Sequence, residues 1–455
     1  MSNEPRKASQ IAEYVMSARI VFLGAADAHL GPALLGDLFA EAEKLRGSTL
    51  WLVDTDADAL AIMRRYAERI NAALGEPFIL RASTDRREAL PEATFVILDV
   101  DVDHLTTWKA DWQIPLRHGV RHVLGANGGP GGLSRALRVI PQALAVARDV
   151  EQLAPEAWVI NLADPLSRVC MALDRYTRVR WLGLCPRISE GYLMVNRVLG
   201  LVSEHGDRAE DVHALRQRVR ITAAGLNHFT FILELRDARS GEDLYPAFRA
   251  RLAHMPLDFA PLTRRMMDAF GLFCTAGDEH AGEFVGFAAE VLPLRGFDFV
   301  SYARWEAEQW ARIRAVAEGT ALLDMASLVR RSEMRMAPVL LALQQGTNQW
   351  EDAVNVRNRG FIANLPDEAI VEAPAFLNAA GVHGVQVGAL PRALASIMRR
   401  EVDIQALTVE AAVHGDRRAA LQALLLDPHI HSYAQATYLL DDLLRTHARY
   451  LPQFA

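Results

Sequence analysis

Two side chains in the middle of the chain could bind a transition metal. Cys185 follows an apolar run typical of a β-strand in Trp181-Leu-Gly-Leu-Cys-Pro-Arg-Ile-Ser189, and His228 ends the segment Ala224-Gly-Leu-Asn-His228. A soft thiolate and a borderline imidazole together suit a transition-metal ion. The two lie far apart in the chain, so no local spacing supports the pair. The alternatives are a buried small cysteine and a hydrogen-bonded core histidine.

Acidic, amide and glycine residues follow several short apolar runs in the first half of the chain. Segments with a helical period separate these runs. Strands that alternate with helices predict a parallel, doubly wound sheet of the Rossmann-like α/β class. Ligands bind at the carboxyl ends of such strands. We therefore expect a site at the residues that end the runs, namely Gly24, Asp54, Asp99, Asn161 and Cys185.

The first of these turns has features of a dinucleotide-binding loop. Gly24-Ala-Ala-Asp-Ala-His-Leu-Gly31 matches G-x-G-x-x-G poorly, because the second and third glycines are replaced. Asp54 ends the next strand, where a carboxylate can accept hydrogen bonds from the adenosine ribose and repels a 2′-phosphate, which favours NAD over NADP. The alternatives are a plain strand-to-helix turn at Gly24 and a helix N-cap at Asp54. With Asp99 and Asn161, these residues are our candidates for cofactor binding.

Two further segments of the first half have the composition of ligand-binding loops. Gly125-Ala-Asn-Gly-Gly-Pro-Gly-Gly132 lets the backbone approach a ligand closely and opens a helix that carries Arg135. A flexible surface loop is the alternative. The side chain of Asn161, in Asn161-Leu-Ala-Asp-Pro165, could bond a sugar hydroxyl or a ribose, or cap the following helix.

The pattern changes after about residue 205. Segments 221–225 and 229–235 predict strands, and helical periods then predict helices near residues 262–271, 302–318, 332–345, 391–415, 417–426 and 433–449. We expect a Rossmann-like NAD-binding domain of residues 1–205 and a second, mainly helical domain with a small sheet over residues 206–455. In the second domain, Asp278-Glu-His280 has general acid–base potential, although such a tripeptide also begins loops and helices.

Composition and charge narrow the class of protein. The chain has 455 residues, of which 51% are hydrophobic and 23% charged, as in ordinary folded proteins. A formal net charge of −7 argues against nucleic acid as a partner. Three cysteines in so long a chain fit a reducing compartment, and the polar N-terminus has no signal-peptide pattern. No apolar run approaches the length of a membrane span, so we expect a cytoplasmic protein without a membrane partner.

Taken together, these segments resemble glycoside hydrolase family 4, the NAD- and metal-dependent glycosidases. The similarity lies in their order and spacing and extends over nearly the whole chain. Its α-galactosidase and uronide-cleaving branch is the most similar. The segments are residues 19–24, 128–138 and 161–165, Gly183-Leu-Cys185, Ala224-Gly-Leu-Asn-His228, Gly241-Glu-Asp-Leu-Tyr-Pro246, Asp278-Glu-His280, Asn355-Val-Arg-Asn358 and Asn364-Leu-Pro366.

The resemblance implies cofactors, an assembly and a mechanism. It implies bound NAD, a second domain like that of lactate and malate dehydrogenases, a divalent metal, usually Mn(II), on Cys185 and His228, and a homodimer or homotetramer. The mechanism lies outside the two-carboxylate scheme of most glycosidases. Hydride passes from carbon 3 of the sugar to NAD⁺, the proton on carbon 2 is removed and the aglycone is eliminated. Water then adds and the hydride returns.

Departures from the family pattern concern the groups that transfer protons. The metal-binding cysteine of the family is usually followed by His, Asp or Asn, whereas Pro186 follows it here. Phe284 stands where related branches carry Tyr, and Asp164 stands where the family has Asn. The resemblance therefore leaves Asp278 and His280 as catalytic candidates, with Tyr302 as a more distant one.

Arg187 is the departure that bears on the substrate. A fixed guanidinium beside a metal suits an anionic sugar, such as the sulfonated sugar of sulfoquinovosides. An ion pair or a cofactor-phosphate contact is the alternative. Arg135, Asn161 and Asn227 complete the predicted substrate-binding set. The preferred hypothesis is an NAD-dependent hydrolase of anionic hexosides. The alternatives are a neutral α-galactosidase or α-glucosidase of the same mechanism, a lactate- or malate-type dehydrogenase and a non-catalytic NAD sensor.

Overall fold

A long mixed sheet forms the centre of the fold. The structure is a computed structural model that describes residues 17–203, 208–294 and 296–455. Within those residues the strands are β1 (Arg19–Leu23), β2 (Thr49–Val53), β3 (Ile79–Ser83), β4 (Phe95–Leu98), β5 (Trp158–Asn161), β6 (Arg180–Gly183), β7 (Val219–Leu226), β8 (Phe229–Asp237), β9 (Phe273–Cys274), β10 (Gln349–Arg357), β11 (Ile370–Asn378) and β12 (Gly381–Gly384).

Helices cover both faces of this sheet. In chain order they are α1 (Leu30–Ala40), α2 (Ala57–Ala73), α3 (Arg86–Ala89), α4 (His104–Arg117), α5 (Gly129–Leu153), α6 (Leu166–Tyr176), α7 (Arg187–Leu199), α8 (Arg208–Arg216), α9 (Tyr245–Leu252), α10 (Pro261–Phe270), α11 (Asp278–Ala281), α12 (Ala288–Val291), α13 (Phe299–Glu318), α14 (Met325–Leu328), α15 (Met336–Gln345), α16 (Arg392–His414), α17 (Arg417–Leu426) and α18 (Tyr433–Thr446). No helix in the described part of the chain is long and apolar enough to cross a membrane.

The first six strands form the doubly wound part of the sheet. Their order is β3-β2-β1-β4-β5-β6 and all of their pairings are parallel. This is the order of the dinucleotide-binding fold. β4 is buried along its whole length, as expected for a parallel strand covered on both faces. The predicted fold class, a Rossmann-like sheet followed by a mainly helical part, is confirmed.

The strands of the second half continue the same sheet. β10 joins β6 through the antiparallel pair Asn355 and Gly183, and β11, β7, β8 and β9 follow, with β12 also on β11. Strands β10 and β11 were not predicted. β10 buries three polar side chains, Glu351, Asp352 and Asn355, so the sequence lacks the alternation of apolar and polar residues that identifies a strand.

The division into two domains stays a prediction. The proposed boundary between residues 205 and 206 lies outside the described residues, as does the segment 1–16. Helices from both halves share one hydrophobic core, since α16 packs against α5 and α6. On the other face, α15 packs against α1, and α13 against α2.

Candidate active site

One large cavity runs along the carboxyl edge of the parallel strands. Its volume is about 1430 Å³, which is ample for a dinucleotide together with a sugar. Gly24 and Asp54 line one end, Cys185 and His228 line another, and Asp99 and Arg135 lie between them. The structure therefore brings most of the predicted strand-end residues to one surface.

The turn after β1 requires a glycine. Gly24 has a φ of +85°, and a Cβ there would overlap the carbonyl oxygen of Asp99. Only glycine combines this backbone conformation with such a close approach. Its N–H donates to the Val53 carbonyl at 3.0 Å, which ties the turn to β2. The turn thus leaves its backbone exposed to the cavity in front of helix α1.

Asp54 is not a helix cap. Its carboxylate accepts hydrogen bonds from the backbone N–H groups of Ala26 and Asp56, each at 3.0 Å. The N-cap of α2 is Asp56, whose side chain accepts from Asp58 and Ala59. The alternative interpretation of Asp54 as the cap is therefore wrong. The carboxylate instead braces the turn after β1 and lines the cavity.

A cluster of acids surrounds Arg135 in the middle of the cavity. The Arg135 guanidinium donates to Asp101 at 2.6 Å and lies 3.6 Å from Asp164. Burial and the negative charges of Asp27 and Asp101 hold the pKa of Asp99 well above its ordinary value. Arg135 is therefore largely neutralised by protein carboxylates, which limits the charge that it offers to a ligand.

Cys185 and His228 come together as predicted. The Cys185 Sγ lies 3.2 Å from the His228 Nε2. Cys185 follows β6, and His228 is the second residue of the two-residue turn between β7 and β8, with a φ of +64°. The fold thus delivers both side chains from loops at the ends of strands, as a site at the sheet edge requires.

His280 and Glu283 extend this pair. The rings of His228 and His280 have centroids 4.5 Å apart. Ligand atoms of His228, His280 and Glu283 lie within 4.8 Å of one another. Glu283 was not predicted, although the signal was present: a residue three positions after His280 in a helical turn lies on the same face.

The ionisation of these groups suits a metal ion. Burial, then the nearby charge of Arg187, holds the pKa of His228 well below its ordinary value. Burial, His228 and Arg187 do the same for the pKa of His280, so both rings are neutral at pH 7. In the described part of the chain neither Nδ1 atom has a hydrogen-bond partner. Neutral imidazoles beside a thiol and a carboxylate are a fitting donor set for a transition metal.

The remaining two groups have raised pKa values without a metal. Burial raises the pKa of the Cys185 thiol to about 12 and that of Glu283 to about 7. A cation reverses this effect, because it stabilises the deprotonated thiol and the carboxylate. Metal binding here would therefore release protons.

The glycine-rich loop is anchored on Glu283. The carboxylate accepts hydrogen bonds from the N–H groups of Ala126 at 2.5 Å and Asn127 at 3.1 Å. A Cβ at Gly128 would lie 2.6 Å from the carbonyl oxygen of Glu283. The loop is buried along its length, so the alternative of a flexible surface loop is wrong. Its glycines permit close contact with Glu283.

Arg187 lines the cavity without an ion pair to any other described residue. It is the first residue of α7 and lines the cavity beside Cys185 and Pro186. No hydrogen bond or ion pair joins its guanidinium to any other described residue. The alternative of an intramolecular ion pair therefore has no support among those residues. Its charge is available to a ligand.

Three predicted site residues do not line the cavity. Asp278 accepts from the N–H groups of Leu262 at 3.0 Å and Thr263 at 2.8 Å, so its carboxylate caps α10. Asn161 is fully buried, and its amide bonds Ala163 and the Cys170 sulfur. Asn227 donates to Glu372 at 3.0 Å. The geometry gives no support to Asp278 as the acid or base, because its carboxylate caps α10 and does not line the cavity.

Comparison with known proteins identifies related sequences over most of the chain. Residues 19–200 match the Family 4 glycosyl hydrolase, and residues 223–430 match the Family 4 glycosyl hydrolase C-terminal domain. An alpha-glucosidase of Erwinia rhapontici is 31% identical, over 90% of this chain and 94% of that protein. An alpha-galactosidase of Bacillus subtilis is 27% identical, over 96% of this chain and 99% of that protein.

Solved structures share the fold. A 6-phospho-alpha-glucosidase from gut microorganisms, solved in complex with NAD and Mn²⁺, has a TM-score of 0.82 at 20% identity. The match covers 97% of this chain and all of that chain. The similarity therefore includes both the doubly wound strands and the strands that continue the sheet.

Proposed function

Because the chain belongs to family 4 of the glycosyl hydrolases, we propose that it hydrolyses an anionic hexoside with bound NAD and Mn(II). The route is transient oxidation at carbon 3 of the sugar, elimination of the aglycone, addition of water and return of the hydride to carbon 3. The single observation that supports an anionic sugar is Arg187, whose guanidinium lines the cavity beside Cys185 and pairs with no other described residue. A sulfoquinovoside is the preferred substrate, because a sulfonate carries a fixed negative charge.

NAD binding rests on the turn after β1 and on Asp54. The exposed backbone at Gly24 and the N-terminus of α1 suit a pyrophosphate, and the Asp54 carboxylate suits ribose hydroxyls. Asp99 lies beside the same turn. The structural relative in complex with NAD and Mn²⁺ supports the same pair of cofactors here.

The metal would be held by Cys185 and His228, with Glu283 close enough to contribute. When bound, NAD⁺ would accept hydride from carbon 3 of the sugar, and the metal would polarise the carbonyl group formed there. His280 is our candidate for the base that takes the proton from carbon 2. Its neutral ring lines the cavity and has an unpartnered nitrogen among the described residues. Tyr302 also lines the cavity, but burial raises its pKa to about 12, which disfavours it as a base.

The second candidate function is hydrolysis of a neutral α-glucoside or α-galactoside by the same route. The names of the Erwinia and Bacillus relatives support it. In that case Arg187 would contact a hydroxyl group or a cofactor phosphate. We also propose a homodimer or homotetramer in the cytoplasm, which light scattering after gel filtration and cell fractionation would test.

A substrate panel with stripped protein tests the proposal. Protein freed of NAD and metal should be inactive on aryl glycosides, and NAD⁺ with Mn(II) should restore turnover without net formation of NADH. Sulfoquinovosides or uronides should be cleaved with a higher kcat/KM than glucosides or galactosides. Full activity of the stripped protein would contradict the mechanism. NADH formed in proportion to product would instead identify a dehydrogenase, and preference for neutral sugars would favour the second candidate.

A further inference from the structure

Glu372 is a fully buried carboxylate whose bonded partners are neutral. It lies on β11 between β10 and β7, opposite Asn355 and Gly225. Its Oε1 accepts from Asn227 Nδ2 at 3.0 Å and from Asn355 Nδ2 at 3.1 Å, and its Oε2 accepts from Thr230 Oγ1 at 2.7 Å. Burying a carboxylate without a bonded cation is costly. Three donors from three neighbouring segments compensate for that cost.

One of these donors borders the Cys185–His228 pair. Asn227 is the first residue of the turn between β7 and β8, and His228 is the second. The Asn227 side chain is also near enough to the Cys185 thiol to lower its pKa, against the stronger effect of burial. Asn227 therefore adjoins His228 in the chain, and its amide lies beside Cys185. Its hydrogen bond to Glu372 fixes the orientation of that amide.

We infer that Glu372 is a positioning residue, which holds Cys185 and His228 at metal-binding distance through Asn227. The inference rests on the metal centre of the proposed function. Partners outside the first ring of metal ligands commonly alter metal affinity 10- to 100-fold. Thr230 and Asn355 share the same carboxylate, but neither adjoins Cys185 or His228 in the chain. The effect on metal should therefore pass through Asn227.

Two substitutions of Glu372 separate its hydrogen bonding from its charge. In E372Q the amide oxygen still accepts from Asn227, and its NH₂ group can donate to the Thr230 hydroxyl, whose single proton is then free to go to the Leu226 carbonyl. We expect Mn(II) affinity within about threefold of wild type. In E372M no acceptor remains, so Mn(II) affinity should fall 10- to 100-fold.

A matched pair of asparagine variants gives a test that does not depend on E372M folding. N227A and N355A each remove one amide from the same Glu372 oxygen. Among the described residues, the bond to Glu372 is the only hydrogen bond of the Asn355 side chain. N227A should weaken Mn(II) binding 10- to 100-fold, whereas N355A should leave it within about threefold of wild type. The double variant E372M/N227A should be no weaker than the poorer single variant.

The measurements are Mn(II) titration by electron paramagnetic resonance and the visible spectrum of the Co(II)-loaded protein. The spectrum should lose its sulfur-to-cobalt band in N227A and E372M and keep it in N355A and E372Q. Circular dichroism melting checks folding. Equal loss of Mn(II) affinity in N227A and N355A, or none in either, overturns the inference. Wild type that binds no Mn(II) contradicts the proposed metal centre itself, which is a distinct result.

Discussion

His228 occupies a backbone conformation that most residues avoid. Its φ of +64° lies in the left-handed region, at the second position of a two-residue turn. Glycine or asparagine is usual at such positions. Holding another residue there costs on the order of 1 kcal/mol or more. The conformation thus points to a role of the imidazole in the site rather than in the stability of the fold.

The variant His228→Asn should separate stability from function. Asparagine tolerates the left-handed conformation, so the free energy of unfolding should stay equal or rise by about 1 kcal/mol. Mn(II) binding should fall at least tenfold, because an amide replaces the imidazole. Urea unfolding and Mn(II) titration would measure the two effects. Loss of stability with Mn(II) binding intact would contradict this account of His228.

Arg187 should govern the charge preference of the substrate. A charge-assisted hydrogen bond contributes about 1.5–3 kcal/mol, which corresponds to roughly 10- to 100-fold in affinity. Arg187→Ala should therefore raise the KM for a sulfonated or carboxylated glycoside by about that factor and change the KM for a neutral glycoside little. Arg187→Lys should restore binding only in part, because it lacks the planar fork.

Arg208 offers a matched control for this experiment. It also lines the cavity, but Glu190 and Glu333 already pair with its guanidinium. Arg208→Ala should therefore change the KM values for anionic and neutral glycosides by similar factors. If Arg187→Ala weakens the binding of anionic and neutral glycosides equally, the anionic-sugar hypothesis is wrong and the neutral-sugar hypothesis replaces it.

At the scale of elements, strand ends were predictable and contacts between distant segments were not. Gly24, Asp54 and Cys185 could be located because apolar runs end at them and parallel strands align their carboxyl ends. The contacts of Glu283 with Ala126 and of Glu372 with Asn227 could not be predicted, because each joins residues more than a hundred positions apart in the chain. No local period encodes such contacts, and they become visible only once the sheet is assembled.

Helix α1 is joined to α15 by a buried carboxylate whose ionisation should affect stability. Asp37 accepts from the N–H groups of Ser332 and Ala337, each at 2.9 Å. Burial raises the pKa of Asp37 from 3.8 to about 6, although these hydrogen bonds oppose the shift. Between those two values the folded state binds more protons than the unfolded state. The contribution of Asp37 to stability therefore decreases as pH rises through this window.

The variant Asp37→Asn should reveal this dependence. It is uncharged at every pH, so the free energy of unfolding of wild type relative to the variant should fall by up to about 3 kcal/mol between about pH 4 and pH 7. Urea unfolding at several pH values would measure the difference. Asp56→Asn is the control, because asparagine also caps a helix. A difference that is flat or rises with pH would contradict the prediction.

At the scale of the whole molecule, one sheet connects the Gly24 end of the cavity with the strands that carry the turn at Asn227 and His228. β6 precedes Cys185 and pairs with β10, and β10 leads through β11 to β7, which ends at the turn of His228. Asn355 of β10 faces Gly183 at the junction. The two halves of the chain therefore share backbone hydrogen bonds as well as a cavity. We expect them to unfold together.

Calorimetry with and without NAD⁺ should test whether the two halves of the chain unfold together. A single thermal transition should appear, and NAD⁺ at about 100 times its Kd should add about 2.7 kcal/mol of stability. For a chain of this length that corresponds to a rise in Tm of roughly 3 °C. Gly24→Ala should lack the rise, because its Cβ would overlap the Asp99 carbonyl and disturb the turn after β1, where we propose that NAD binds. Two transitions, of which NAD⁺ shifts only one, would instead support independent units divided near residue 205.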